Sequence, residues 1–203
     1  CITMFYEPNK RLLSIDPFKS LIFPRPIGWI SSIDKKGTVN LAPYLYFNAI
    51  ADDPPQVMFV AAASDKTTQK KDTHTNIIAT KEFVVNFATS TTRKQMNLSS
   101  KDVHQDEDEF LLTNLKKRKS RLVKVPSVAS SPVNLECKLL NIIKLKSNTK
   151  KNSTMIIGEV IGIYIKDSFI KKGRVDSTAM RYVARMGYSE YTTVSSNFKM
   201  KRP

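Results

Sequence analysis

The run Pro24-Arg25-Pro26-Ile27-Gly28-Trp29-Ile30-Ser31-Ser32 opens with two prolines and then settles into strict alternation. Ile27, Trp29, Ser31 and, one step on, Ile33 share one face; Gly28, Ile30 and Ser32 share the other. A period of two is the signature of a β-strand. Asp34-Lys35-Lys36-Gly37 follows as a turn and Thr38 to Leu45 as a return strand, so the pair reads as a hairpin. Downstream, Asp53-Pro54-Pro55 breaks the chain before a strand from Gln56 to Ala62. Thr73 to Lys81 has helical spacing, with Ile77 and Ile78 as its apolar face and Asp72 or Thr73 as its cap. Glu82 to Phe87 alternates again, while Thr92 to Leu98 and Asp106 to Leu115 read as short helices. Asn134 to Leu145 and Thr154 to Asp167 form a long hairpin across the polar turn Lys146 to Ser153.

Three segments read as irregular. They are the lead-in before Pro24, the basic, serine-rich connection from Lys116 to Pro132, and the tail after Lys171. Many short strands with few helices predict a mainly β barrel or sandwich with helical decoration; the strand–helix alternation of a parallel sheet is missing. No internal repeat and no linker divides the chain, so one domain over residues 4–203 is expected. Cys1, Ile2 and Thr3 precede Met4, which reads as the natural start.

The composition is that of a globular protein, 41% hydrophobic and 25% charged in 203 residues, which excludes a disordered chain. No stretch reaches the roughly 20 apolar residues a spanning helix needs, and no secretory signal is visible. With Cys1 set aside, Cys137 is a lone thiol, which points to a reducing, cytoplasmic setting. The net charge of +15 admits a nucleic-acid surface, but the lysines are spread in pairs through expected turns, so a solvated basic surface is the better reading.

Three segments carry candidate chemistry. Lys71-Asp72-Thr73 stands at the head of the Ile77–Ile78 helix, where free N–H groups and the helix dipole attract phosphate; an ordinary capped helix looks the same. Ser31 and Ser32 end a strand with small hydroxyls able to bond a ligand's polar edge, or simply to finish the strand. Asn40-Leu41-Ala42-Pro43-Tyr44-Leu45-Tyr46-Phe47-Asn48 combines close backbone, flat aromatic walls and amides, which also describes a core strand. His74 and His104 are far apart and form no metal-ligand spacing. The acids from Asp106 to Glu109 are accounted for by a helix's acidic first turn.

Taken in order, these segments resemble the flavin reductase-like family of FMN-binding split barrels. That family has Pro-Arg-Pro-Ile-x-Trp-hydrophobic-Ser/Thr-Ser/Thr, here Pro24 to Ser32, then Asn-hydrophobic-Ala-Pro-Tyr/Phe, here Asn40 to Tyr44, and later Lys-Asp-Thr, here Lys71 to Thr73. Asp53-Pro54-Pro55, Glu82 to Asn86, Asp108-Glu109-Phe110, Leu135-Glu136-Cys137, Ile157 to Val160 and Arg185-Met186-Gly187 extend the agreement. The resemblance implies a Greek-key split barrel, a homodimer, and FMN bound near the subunit interface. It places Trp29, Ser31 and Ser32, Asn40, and Ala42, Pro43, Tyr44, Leu45 and Phe47 around the flavin ring and ribityl chain. Lys71, Asp72 and Thr73 fall at the phosphate, and Arg185 at the flavin or the interface. Leu45 stands where the family usually has serine, which removes one hydroxyl from the site.

The implied activity is NAD(P)H-dependent reduction of FMN, with electrons passed to free flavin, a partner monooxygenase, ferric iron or another acceptor. No Gly-rich dinucleotide fingerprint follows a strand, so NADH or NADPH would dock directly on the flavin. Because flavin carries the chemistry itself, no catalytic side chain and no metal are expected. An FMN-binding carrier or storage protein without nicotinamide activity is the alternative, and a basic nucleic-acid-binding barrel the third reading.

Overall fold

The hairpin strand that alternates so cleanly is buried on both sides. In the computed structural model, which describes residues 4–8, 10, 12–62, 72–104, 107–148 and 153–201, β1 (Gly28–Ile33) is buried from Gly28 to Ser32. Its alternation serves two cores. Ile30 packs inward with Tyr44, Val57, Phe59, Ile77, Phe83, Val85, Cys137 and Ile156. Trp29 packs outward with Leu41, Met96, Phe110, Val128 and Val183. Burying a large side chain of this kind contributes about 2–3 kcal/mol.

The remaining strands of the main sheet are β2 (Val39–Tyr44), β3 (Phe47–Asp52), β4 (Pro55–Ala62), β5 (Glu82–Asn86), β6 (Val133–Lys144) and β7 (Ser153–Ile165). They form one seven-stranded antiparallel sheet in the order β2-β1-β5-β6-β7-β4-β3. Its two edges, β2 and β3, are joined through only Leu45 and Tyr46, so the sheet must curl until the edges adjoin. The seam is not closed by a ladder. Instead the Tyr44 ring of β2 meets the Phe59 ring of β4 at 4.7 Å, while the Val60 N–H, donating to the Tyr46 carbonyl at 3.0 Å, only extends the β3–β4 pairing. This is a split barrel. Two glycines make room for its contents. A Cβ on Gly28 would stand 2.9 Å from the Phe47 ring, and one on Gly158 would stand 2.4 Å from Phe83.

Short helices close the barrel: α1 (Phe18–Leu21), α2 (Asp72–Thr80), α3 (Arg93–Leu98) and α4 (Glu109–Leu112). α2 delivers Ile77 to the inner core, whereas Ile78, also read as core-facing, is 37% exposed. α3 and α4 cover the outer face through Met96 and Phe110. Among the described residues no helix is long and apolar enough to cross a membrane.

Three readings need correction. Phe47–Asp52 is a strand in its own right, its partner supplied by β4 across the Asp53-Pro54 turn. The connection from Lys116 to Pro132 is no surface loop throughout: Val123, Val125 and Val128 are buried, Val123 and Val125 against Val84 and Val128 in the outer core. Glu136 fastens this segment by accepting the backbone N–H groups of Arg121, Leu122 and Val123. The tail contains β8 (Val183–Arg185) and β9 (Tyr191–Thr193), and the two-residue strand Arg25–Pro26 pairs with β8.

Candidate functional site

The candidate residues divide by strand parity. On β1, Trp29 and Ser31 face outward and are fully committed. The Trp29 indole N–H donates to Ser99 Oγ at 2.9 Å. Ser31 Oγ donates to the Pro126 carbonyl at 2.7 Å and accepts from Asn86 Nδ2 at 3.1 Å. Ser32 faces the other way, where Asn76 Nδ2 of α2 reaches its hydroxyl at 3.3 Å. The two serines therefore do not present their hydroxyls to one face.

On β2, the register that sets Leu41 opposite Ser31 leaves this strand as a sheet edge. Edge strands expose unpaired backbone groups. Here α4 satisfies one of them: Leu41 N–H donates to Glu109 Oε2 at 2.9 Å. The other oxygen, Glu109 Oε1, accepts from Asn40 Nδ2 at 2.6 Å. Asn40 Oδ1 in turn accepts from the Thr73 hydroxyl, at 2.5 Å, in the first turn of α2. Pro43 has no N–H to offer, which suits an edge position.

The Tyr44 hydroxyl is buried beside Thr73 and, among the described residues, has no partner in hydrogen-bonding geometry. Burial pushes this phenol well above the ordinary tyrosine range, with the charges of Glu109 and Asp72 adding to the effect. Burial also raises the Glu109 carboxyl to about 7, against the opposing pull of the Leu41 N–H and with Asp72 and Asp108 reinforcing the rise.

The fold thus gathers Asn40 and Tyr44 from one segment and Asp72 and Thr73 from another well separated in sequence, with Ser32 reaching the same helix. Ala42, Pro43, Leu45 and Phe47 form a half-buried apolar strip along the edge strand and the turn after it, Ala42 and Phe47 packed against the inner core and Leu45 against the outer one. Lys71 lies outside the described residues. Arg185 is placed elsewhere: it sits on β8, bonded to the Tyr188 carbonyl and stacked on Tyr191 at 4.4 Å. With Arg93, Lys94 and Asn97 it lines a separate cleft of about 700 Å³.

Glu109 is the residue that sequence reasoning passed over. An acid in a helix's first turn is ordinarily explained by the helix dipole. Here Asp108 does the capping, accepting from Phe110 N–H at 2.9 Å, and Glu109 is only 4% exposed. The one available signal was its place before Phe110, whose burial draws the start of the helix against β2.

Helix N-terminus, polar cluster and apolar strip together suit an amphiphile with a flat ring and an anionic end. The Tyr44 hydroxyl and the first turn of α2 supply a polar end, and Ala42 and Phe47, which pack on the same core as Tyr44, supply a wall for the ring. A flavin mononucleotide has this shape and charge, so the residues present fit it.

Comparison with known proteins identifies the family. Residues 20–181 match the flavin reductase like domain. An uncharacterized protein of Aquifex aeolicus (strain VF5) is 32% identical over 182 residues, covering 89% of this chain and 90% of its own. The crystal structure of nitrilotriacetate monooxygenase component B from Bacillus cereus superposes with a TM-score of 0.89 at 26% identity, over 98% of this chain and 100% of that one. The 2-nitrobenzoate 2-nitroreductase NbaA of Pseudomonas fluorescens gives 0.79 at 28% identity, over 92% and 88%. With four-fifths of its length matched, this chain belongs to the flavin reductase-like family.

Proposed function

We propose that the protein is a flavin oxidoreductase that binds FMN along the β2 edge with its phosphate at the head of α2, accepts hydride from NADH or NADPH, and passes the electrons on. The observation that carries this reading is the convergence of Asn40, Tyr44 and Thr73 beside the half-buried strip from Ala42 to Phe47. Bound flavin supplies reversible hydride and electron chemistry. The protein's part is to hold and shield it. Ala42, Pro43, Leu45 and Phe47 exclude water from the ring, the first turn of α2 with Thr73 and Lys71 neutralises the phosphate, and Asn40 and Ser32 fix the polar edge. The backbone N–H of Leu45 replaces the hydroxyl of the family serine. No side chain is required as acid, base or nucleophile.

A solved relative at 26% identity is a monooxygenase component B and one at 28% a nitroreductase, which supports a soluble or protein-bound acceptor for the electrons, with a partner monooxygenase the leading choice. A second copy of this chain completes the assembly in this reading. The exposed edge strand β3, with Ile50 47% exposed, and the exposed Phe18, Leu21, Ile22 and Phe23 offer it an apolar face. The decisive test is the visible spectrum of the FMN-loaded protein under anaerobic conditions, with NADH and NADPH added separately. Prompt bleaching with either establishes the reductase and identifies its donor. FMN that stays oxidised with both rejects it in favour of an electron carrier.

A further inference from the structure

The hydrogen bonds from Glu109 to Thr73 all point one way, and chemistry fixes that direction. An ionised carboxylate only accepts. Asn40 must therefore turn Nδ2 toward Glu109, which leaves Oδ1 for Thr73, and the Thr73 proton is spent on Oδ1. In this state Thr73 has only lone pairs to offer at the head of α2 and cannot add a donor of its own to the N–H groups that attract a phosphate there.

Protonating Glu109 reverses the chain. The Leu41 N–H belongs to the backbone and cannot turn round, so Oε2 must remain an acceptor and the proton must sit on Oε1. Glu109 then donates to Asn40, and the Asn40 amide turns over so that Oδ1 accepts. Nδ2 now donates to Thr73 Oγ1, and the Thr73 hydroxyl proton is released for a new partner. Asn40, Thr73 and Glu109 are all at least nine-tenths buried, so solvent cannot supply the missing donors.

We propose that binding of a phosphate-bearing flavin at the head of α2 draws one proton from solvent onto Glu109 Oε1, with the Asn40 amide turning over to hand Thr73 the role of donor. Only an O–H bond forms and nothing is oxidised. The inference rests on the flavin reading above. Among the described residues the charged and titratable groups facing Glu109 are Asp72 from α2, itself engaged, Tyr44 from β2, and Asp108 from its own helix, engaged by Lys117. Two of these are carboxylates, so an arriving phosphate adds to a field that already favours the neutral form. A carboxyl raised to about 7 by burial stands where a modest push changes its state.

Glu109→Gln makes the idea sharp. Its amide places a permanent donor opposite Asn40 and an acceptor opposite Leu41, which copies the protonated carboxyl. The test is fluorescence titration of FMN and riboflavin from pH 6 to pH 8 in wild type and Glu109→Gln, with calorimetry of wild type in two buffers of different ionisation heat. The wild-type Kd for FMN, relative to that of Glu109→Gln, rises about tenfold over this range, as loss of one linked proton requires. Phosphate ionisation is common to both proteins and cancels in the ratio. Riboflavin shows no such rise, and calorimetry at pH 7.5 reads net proton uptake with FMN alone. At pH 8 Glu109→Gln binds FMN more tightly than wild type, where a merely structural glutamate would give weaker binding. A ratio that is flat with pH, or wild-type binding without proton uptake, overturns the coupling and leaves the flavin reading intact. Failure of wild type to bind either flavin overturns both.

Discussion

Two asparagines, one in the middle of the sheet and one at its edge, organise the buried polar groups of this protein, and they do so in opposite ways. Asn86, on β5, uses all of its capacity. Its Nδ2 donates to the Trp29 carbonyl and Ser31 Oγ, and its Oδ1 accepts from Val128 N–H and Asn134 Nδ2. Asn134 is held in turn by Arg118, whose guanidinium stacks on Tyr164 at 3.8 Å. Every donor meets an acceptor and no carboxylate takes part. Asn40, on β2, sits between a buried carboxyl and a helix head, beside a phenol with no partner among the described residues. A fully satisfied network specifies a structure; one with a titratable member and an unused group is poised to receive something.

The largest effect expected is from Asn86→Ala. It leaves the buried Val128 N–H, the Asn134 amide and the Trp29 carbonyl unsatisfied, and should cost about 3–4 kcal/mol in urea unfolding. A loss below about 1 kcal/mol would break the contrast. Asn40→Ala should cost only about 1–2 kcal/mol, because Glu109 can shed its unpaired charge by taking a proton, an escape the Asn86 partners lack. Its main effect should fall on FMN, with Kd rising roughly tenfold to thirtyfold. Equal stability losses for the two alanine variants would erase the distinction.

The pH dependence sharpens it further. The folded-state Glu109 carboxyl, at about 7, lies above its ordinary value of 4.5, so the folded protein holds that proton more tightly than the unfolded chain. Its contribution to stability is complete below pH 4.5, declines as pH rises, and is lost once pH passes 7. Urea midpoints across this window should fall in wild type relative to Glu109→Gln; parallel curves would place Glu109 outside the buried network. The smallest effect expected is from Ser31→Ala, about 1 kcal/mol, since Asn86 Nδ2 keeps its bond to the Trp29 carbonyl. Thermal unfolding resolves that difference, and a loss of more than about 2 kcal/mol would show that the central network is less redundant than its bonds imply.

The contrast also explains what was legible in the sequence. Alternation located β1, β2 and the long β6–β7 hairpin, because those strands pair with near neighbours and each side chain's face follows from its number. β8 escaped notice because one partner, Arg25, lies 160 residues away, and neither it nor its other partner β9, at three residues each, is long enough to show a period. The segment from Lys116 to Pro132 looked like solvent because its lysines and serines outnumber its valines. What buries it is the packing of those valines, with Glu136 on the strand that follows gathering three of its N–H groups. The site was half visible. Asn40, Tyr44, Asp72 and Thr73 were chosen by chemical type and order, and the fold brings them together. Glu109 was not visible, since nothing local separates an acid that caps a helix from one that reaches across to a sheet edge.

Titration of FMN and riboflavin into wild type and Thr73→Val, followed by flavin fluorescence, tests the central claim most directly. If the head of α2 holds the phosphate, wild type prefers FMN strongly and Thr73→Val narrows that preference by about tenfold, leaving riboflavin affinity nearly unchanged. Equal losses for both ligands, or a wild type that does not distinguish them, would contradict the assignment of the site.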